Sequence, residues 1–273
     1  YMGDGINDAP AMRAADVGIS VDTAADVAKD AAGVILLEKD LTVVADGAQE
    51  GRRTYFNMMK YIKITASSNF GNMFSVLAAS AFLPFLPMLA LQLMILNFVY
   101  DISCTAIPWD RVDAKYLARP AAWDARSVLR FMLWFGPVSS VFDILTYVLL
   151  FFAICPNACG APYSALDAAG QETFAALFRT GWFLESALTQ MLVLHLLRTE
   201  RFTWSSCASL PVCALTAGGI AVLTALPLAL GEAAGFALPP AAYFVMLAGI
   251  VILYIIAAWA CKKLFVRRCG QLI

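Results

Sequence analysis

Six apolar stretches, at roughly 60–83, 88–107, 129–154, 180–197, 210–230 and 241–261, follow one another with short polar interruptions. Each is close to the ~20 residues an α-helix needs to cross a bilayer core. That pattern leaves few folds open, because backbone groups inside hydrocarbon must find their hydrogen bonds within the segment or in a closed barrel. Composition agrees: 61% of residues are hydrophobic, 14% are charged and mean hydropathy is +0.73. A soluble domain is nearer half apolar and about a quarter charged. The fold class expected is a mainly α-helical polytopic membrane protein with six transmembrane helices. The fourth stretch is the weakest, diluted by Glu185, Gln190 and His195.

Orientation follows from the cations. If the first span starts in the cytoplasm, every Lys and Arg except Arg179 falls on the cytoplasmic side, including Lys39, Lys60, Lys63, Arg111, Arg198 and Lys262. Such asymmetry is the positive-inside pattern, and it places both ends of the chain in the cytoplasm. The net charge of -1 and the lack of a basic run give no reason to expect a nucleic-acid partner. Membrane lipid is the expected surroundings.

Residues 1–46 read differently. "VGISV" (17–21) and "GVILLE" (33–38) suit short buried parallel strands, and "DTAADVAKDAA" (22–32) between them suits a helix, with Asp22 or Thr23 as N-cap and Gly33 as stop. Strand, helix, strand is the order of a doubly wound α/β sheet, of which this is too short to be the whole. The opening Tyr1-Met2-Gly3-Asp4 reads like the middle of a domain, so the chain is expected to be the C-terminal part of a longer protein. A helical stalk over 47–63 leads from this piece into a transmembrane domain over 60–273.

The loop "GDGIND" carries the chemistry. Asp4 and Asp8 lie four apart with Gly3 and Gly5 permitting tight turns. Two carboxylates at the end of a parallel sheet suit Mg²⁺, a hard ion that takes oxygen ligands from protein, phosphate and water. Asn7 could donate to a phosphate oxygen. The same residues could also form a plain Asp/Asn/Gly turn capping the helix after Pro10.

Polar residues inside the spans mark the second candidate site. Asn69 and Asn72, with Thr65 and Ser68 below them, share one helix face; Asn97 and Asp101, four apart, share another. Together they would make an oxygen-rich site with one carboxylate, suited to a hard cation that keeps some water. Hydrogen bonding between helices would explain the amides equally well. Asp143, Glu185 and Gln190 are weaker candidates, either lining an exit route or accepting hydrogen bonds from neighbours, and are read as structural. His195 is read as an interfacial residue and Pro84/Pro87 as a tight turn. Cys155 and Cys159 share a loop and are either a disulfide or two free thiols.

"GDGINDAPAMRAADVGIS" followed by "GVILL" and then "YIKITASSNFGN" resembles the P-type ATPases over essentially the whole chain. "GRRTYFNMMKYIKITASSNFGNMFSVLAASAFLPFLPM" and "FGPVSSVFDILTY" resemble their bacterial magnesium-transporting (type IIIB) branch. The resemblance implies that residues 1–46 end a haloacid-dehalogenase-like phosphorylation domain and that the spans are segments five to ten of a pump. It implies that Asp4 and Asp8 lie at the catalytic Mg²⁺, that Asn7 lies near the phosphoryl group and that Asn69, Asn72, Asn97 and Asp101 lie at the transported ion. It also implies ATP as substrate, an aspartyl phosphate, Mg²⁺ import and a bacterial inner-membrane location. DKTGT, TGE and a nucleotide-binding domain do not occur in these 273 residues. The chain alone is therefore expected not to hydrolyse ATP and to need actuator, nucleotide-binding and phosphorylation regions as partners. Alternatives are a P-type pump for Ca²⁺, Na⁺ or H⁺, a passive conduit or secondary carrier, and a non-catalytic membrane remnant.

Overall fold

The computed structural model describes every residue except Lys39, Thr203 and Trp204; Lys39, counted above among the cytoplasmic cations, lies outside the described residues. The chain forms two compact units, Tyr1–Thr54 and Tyr55–Ile273.

In the first unit β1 (Ile19–Val21) pairs in parallel with β2 (Val34–Leu36), and Met2 makes a parallel bridge to Ile19 on the other side of β1. Between them runs α2 (Asp26–Ala31), and α1 (Ala9–Ala14) follows the loop. Met12, Val21, Ala24 and Ala28 make a small core. Both strands and the helix fall where the apolar runs placed them, but neither Asp22 nor Thr23 caps the helix. The N-cap is Ala25 with no side-chain bond. Asp22 remains in the ladder, its N–H donating to the Leu36 carbonyl, so the chain cannot turn into helix until after Ala24.

α3 (Leu41–Phe82) begins in the first unit and continues into the second. The second unit adds α4 (Ala90–Cys104), the short α5 (Ala114–Leu117), α6 (Ala125–Leu149), α7 (Cys155–Cys159), α8 (Ala168–Leu197), α9 (Leu210–Leu230) and α10 (Ala241–Cys269). A π-helical turn over Leu150–Ile154 joins α6 to α7. Among the described residues four helical stretches are long and apolar enough to cross a membrane: Ala90–Trp109, Ala125–Ala165, Leu210–Ala234 and Ala241–Cys269. The stretches 60–83 and 180–197 are helical, the first up to Phe82 within α3 and the second within α8, but are not among these four.

The reason is visible in α8. It packs against α4, α6, α7, α9 and α10, and most of its residues from Phe174 to Leu197 are buried. A helix enclosed on all sides meets protein rather than solvent or lipid, so polar residues can replace part of its apolar surface. Aromatic rings fill the space around it, with Tyr147 edge-on to Trp182 and Phe183 edge-on to Phe236. α3 and α6 approach closely at paired glycines: a Cβ on Gly71 would lie 3.0 Å from the Gly136 carbonyl oxygen. Ser140 seals the crossing by donating to the Gly71 carbonyl at 3.0 Å.

Candidate functional site

The loop is built around Asp8. Its Oδ2 accepts the Gly5 N–H at 3.0 Å and its Oδ1 accepts the Tyr1 hydroxyl at 2.9 Å. The hydrogen bond from the Gly5 N–H, followed by that from Tyr1, holds the Asp8 carboxyl below the usual carboxylate range. Gly3 is obligatory here, because a Cβ on it would fall inside the Asp8 side chain. Asp4 and Asn7 are exposed and Asp8 is half-buried. The Asp4 carbonyl accepts the Ala25 N–H, which ties the loop to the start of α2. The carboxylate oxygens of Asp4 and Asp8 are the right donors for Mg²⁺, and the Gly5 N–H and Tyr1 hydroxyl hold Asp8 in place. The donor set fits the ion.

The four candidates for the transported ion are placed less simply. Asn69 and Asp101 are exposed, and Asn72 and Asn97 are half-buried. Among the described residues their side chains make no hydrogen bond with one another or with a neighbour, so the reading of Asn69 and Asn72 as interhelical glue finds no bond here. Among the described residues no group of three or more His, Cys, Asp or Glu could hold a metal.

The buried polar groups lie elsewhere. Asp110, just after α4, accepts Lys60 Nζ of α3 at 2.8 Å and Arg198 Nη1 at 3.2 Å, and both Lys60 and Asp110 are almost completely buried. Burial opposes its charge, yet Lys60 and Arg198 outweigh it and hold the Asp110 carboxyl below the ordinary range. Asn57 donates to the Pro108 and Asp110 carbonyls. Lys262 of α10 caps α8, donating to the carbonyls of Leu196, Thr199 and Arg201. Lys63 donates to the Leu272 carbonyl at 3.1 Å, while Glu200 and Tyr116 accept the Leu272 N–H. Thus Lys60, Lys63 and Lys262, counted in the sequence only as orientation signals, are buried structural donors. The signal that could have singled them out is a cation within or beside an apolar run, with an acid in the nearest loop.

His195 is also better described as interhelical than interfacial: its Nε2 lies 2.8 Å from the Thr216 hydroxyl of α9. Cys155 and Cys159 are free thiols.

Residues 85–264 match the family described as cation transporting ATPase, C-terminus. The chain belongs to this P-type ATPase family. It is 47% identical over 273 residues to the magnesium-transporting ATPase, P-type 1, of Salmonella typhimurium strain LT2, covering 99% of this chain and 29% of the relative. The protein of the same description from Escherichia coli K12 is 48% identical over 272 residues, with the same coverage. A calcium-transporting ATPase of Bacillus subtilis is 32% identical over 154 residues, 56% of this chain and 17% of that relative. The P-type ATPase region seen here therefore spans about 29% of the length of the magnesium-transporting relatives. The shared region includes both the aspartate loop and the helical unit, since the alignment with the Salmonella protein runs over nearly the whole chain.

Proposed function

We propose that the chain is the C-terminal part of an ATP-driven pump that imports Mg²⁺ across a bacterial inner membrane through an aspartyl phosphate formed outside these residues. The observation that carries the reading is identity of 47% along 99% of the chain to a magnesium-transporting P-type ATPase. Residues 1–46 would end a haloacid-dehalogenase-like phosphorylation domain. Residues 47–63 would be a stalk and 60–273 a transmembrane domain of six spans, α3 and α8 included. In that arrangement Asp4 and Asp8 hold a Mg²⁺ ion, which when bound offsets the negative charge of a phosphoryl group, and Asn7 orients a phosphate oxygen. α3 is then the covalent path from the loop to Asn69 and Asn72.

The unbonded side chains of Asn69, Asn72, Asn97 and Asp101 are free to bind a partly hydrated cation. An intramembrane carboxylate open to lipid is costly, so the exposed face bearing Asp101 is proposed to meet polypeptide outside these 273 residues. A single carboxylate balances one divalent ion poorly and two far worse, which gives one Mg²⁺ per ATP. By itself the chain lacks a phosphate acceptor and would be inactive.

The test is ATP-driven uptake by the full-length protein in liposomes with ATP sealed inside, the side toward which an importer moves its ion, read with a Mg²⁺ indicator inside. Asp4→Asn is expected to abolish turnover, and Asp101→Asn to abolish uptake. Uptake of Ca²⁺ or Na⁺ in place of Mg²⁺, or a ratio of two Mg²⁺ per ATP, would sink the cargo reading. Flux that persists without ATP and in Asp4→Asn would favour a passive conduit.

A further inference from the structure

One group of polar side chains between the helices is left with too few donors. Asp143 of α6 and Glu185 of α8 are 4% and 1% exposed, and their carboxyls face each other. Asp143 is held from two sides: Trp182 Nε1 donates to Oδ1 at 2.8 Å, and the Ser75 hydroxyl lies 2.6 Å from Oδ2. Glu185, one helical turn beyond Trp182, has no partner on either oxygen. The hydroxyls of Ser186 and Tyr147, turned toward the same carboxyls, are buried and unpartnered too. An ionised carboxylate without a donor in a closed interior is far too costly to persist.

Neither hydroxyl is placed to bond Glu185, which leaves two facing acceptors with no hydrogen between them. Ser75 points the same way. It has one proton to give, and the Gly71 carbonyl lies within reach at 3.0 Å. If that proton goes to Gly71, the short approach to Asp143 requires a proton on the carboxyl. The other titratable groups facing the pair are the hydroxyls of Tyr147 on α6 and of Tyr243 and Tyr254 on α10. None of these supplies a positive charge. A metal ion is the poorer occupant: Asp143 already receives an N–H, and no metal-holding group of three acids, His or Cys occurs among the described residues.

We propose that Asp143 and Glu185 form a proton-binding site in which one exchangeable proton bridges the two carboxyls. Two carboxylates in contact cannot both remain ionised in a low-dielectric site, so the first proton binds far more firmly than a second. Binding is a simple acid–base step: one oxygen lone pair takes the proton, and the second carboxylate, still ionised, accepts it as a hydrogen bond. The inference rests on this geometry and not on the pump reading.

Infrared spectroscopy of the full-length protein in lipid tests it. The expected result is a protonated-carboxyl band that moves to lower frequency in D₂O and on labelling with carbon-13 glutamate or aspartate. It is lost in Glu185→Gln. A wild-type spectrum without such a band overturns the proposal. So does a band that persists unchanged in Glu185→Gln, because it then belongs to another carboxyl. If Glu185→Gln does not fold, Asp143→Asn decides: a shifted or missing band supports the bridge, and an unchanged band overturns it.

Discussion

Asp110 shows how much one side chain can organise. It holds two cations from different helices in a site closed to water, where removing one partner leaves uncompensated charge. Asp110→Ala is expected to destabilise the helical unit by ~3–5 kcal/mol, read as a lower denaturant midpoint in detergent. Replacing Lys60 with Met and Asp110 with Leu together should recover only the share of that loss that Lys60 carries, because Arg198 is still left buried without its acid. The pH dependence has a definite sign. A carboxyl whose folded value is lowered stabilises the protein fully above its unfolded value, ~3.9 for Asp. That stabilisation disappears as pH falls through the lowered folded value. Acid titration should therefore weaken the wild type below about pH 4 while leaving the Leu/Met double variant flatter across the same range.

At the scale of the element, close crossings and helix ends decide stability. Gly71 sits against backbone of α6, which cannot rotate aside as a side chain could. Gly71→Val is expected to cost ~1–3 kcal/mol through overpacking, measured as a loss of thermal stability. α8 ends on Lys262, which donates to the Leu196 carbonyl of its last turn and to the Thr199 carbonyl just beyond it. Lys262→Met should lower stability by on the order of 1.5–3 kcal/mol, the range for a hydrogen bond to a charged group. Hydrogen exchange at the last turn of α8 should rise first.

For the whole molecule the number of spanning helices has a direct readout. Six spans and four make opposite predictions at two exposed positions. With α3 and α8 crossing, Trp123→Cys is protected from an impermeant thiol reagent added outside cells, and Ser164→Cys is labelled. With only the four most apolar stretches crossing, both outcomes reverse. Labelling each variant in a background lacking the native cysteines checks this directly.

Much of this protein could be read from residue order alone, because hydrophobic length and the placement of cations act locally. The apolar stretch 210–230 coincides with α9, and the two short strands appear where β-branched runs stand beside turn residues. The GDGIND loop was legible for the same reason: glycines and acids within eight residues make their own geometry. Partnership between distant residues was not legible. That Lys60 meets Asp110, that His195 bonds Thr216 and that Glu185 faces Asp143 without a donor depend on which helix faces turn toward each other. Sequence by itself determined the helices and their polar loop, since backbone hydrogen bonding and hydrophobicity are set residue by residue. Only the tertiary structure decided which charges are buried and paired, because burial is a property of packing and not of any one segment.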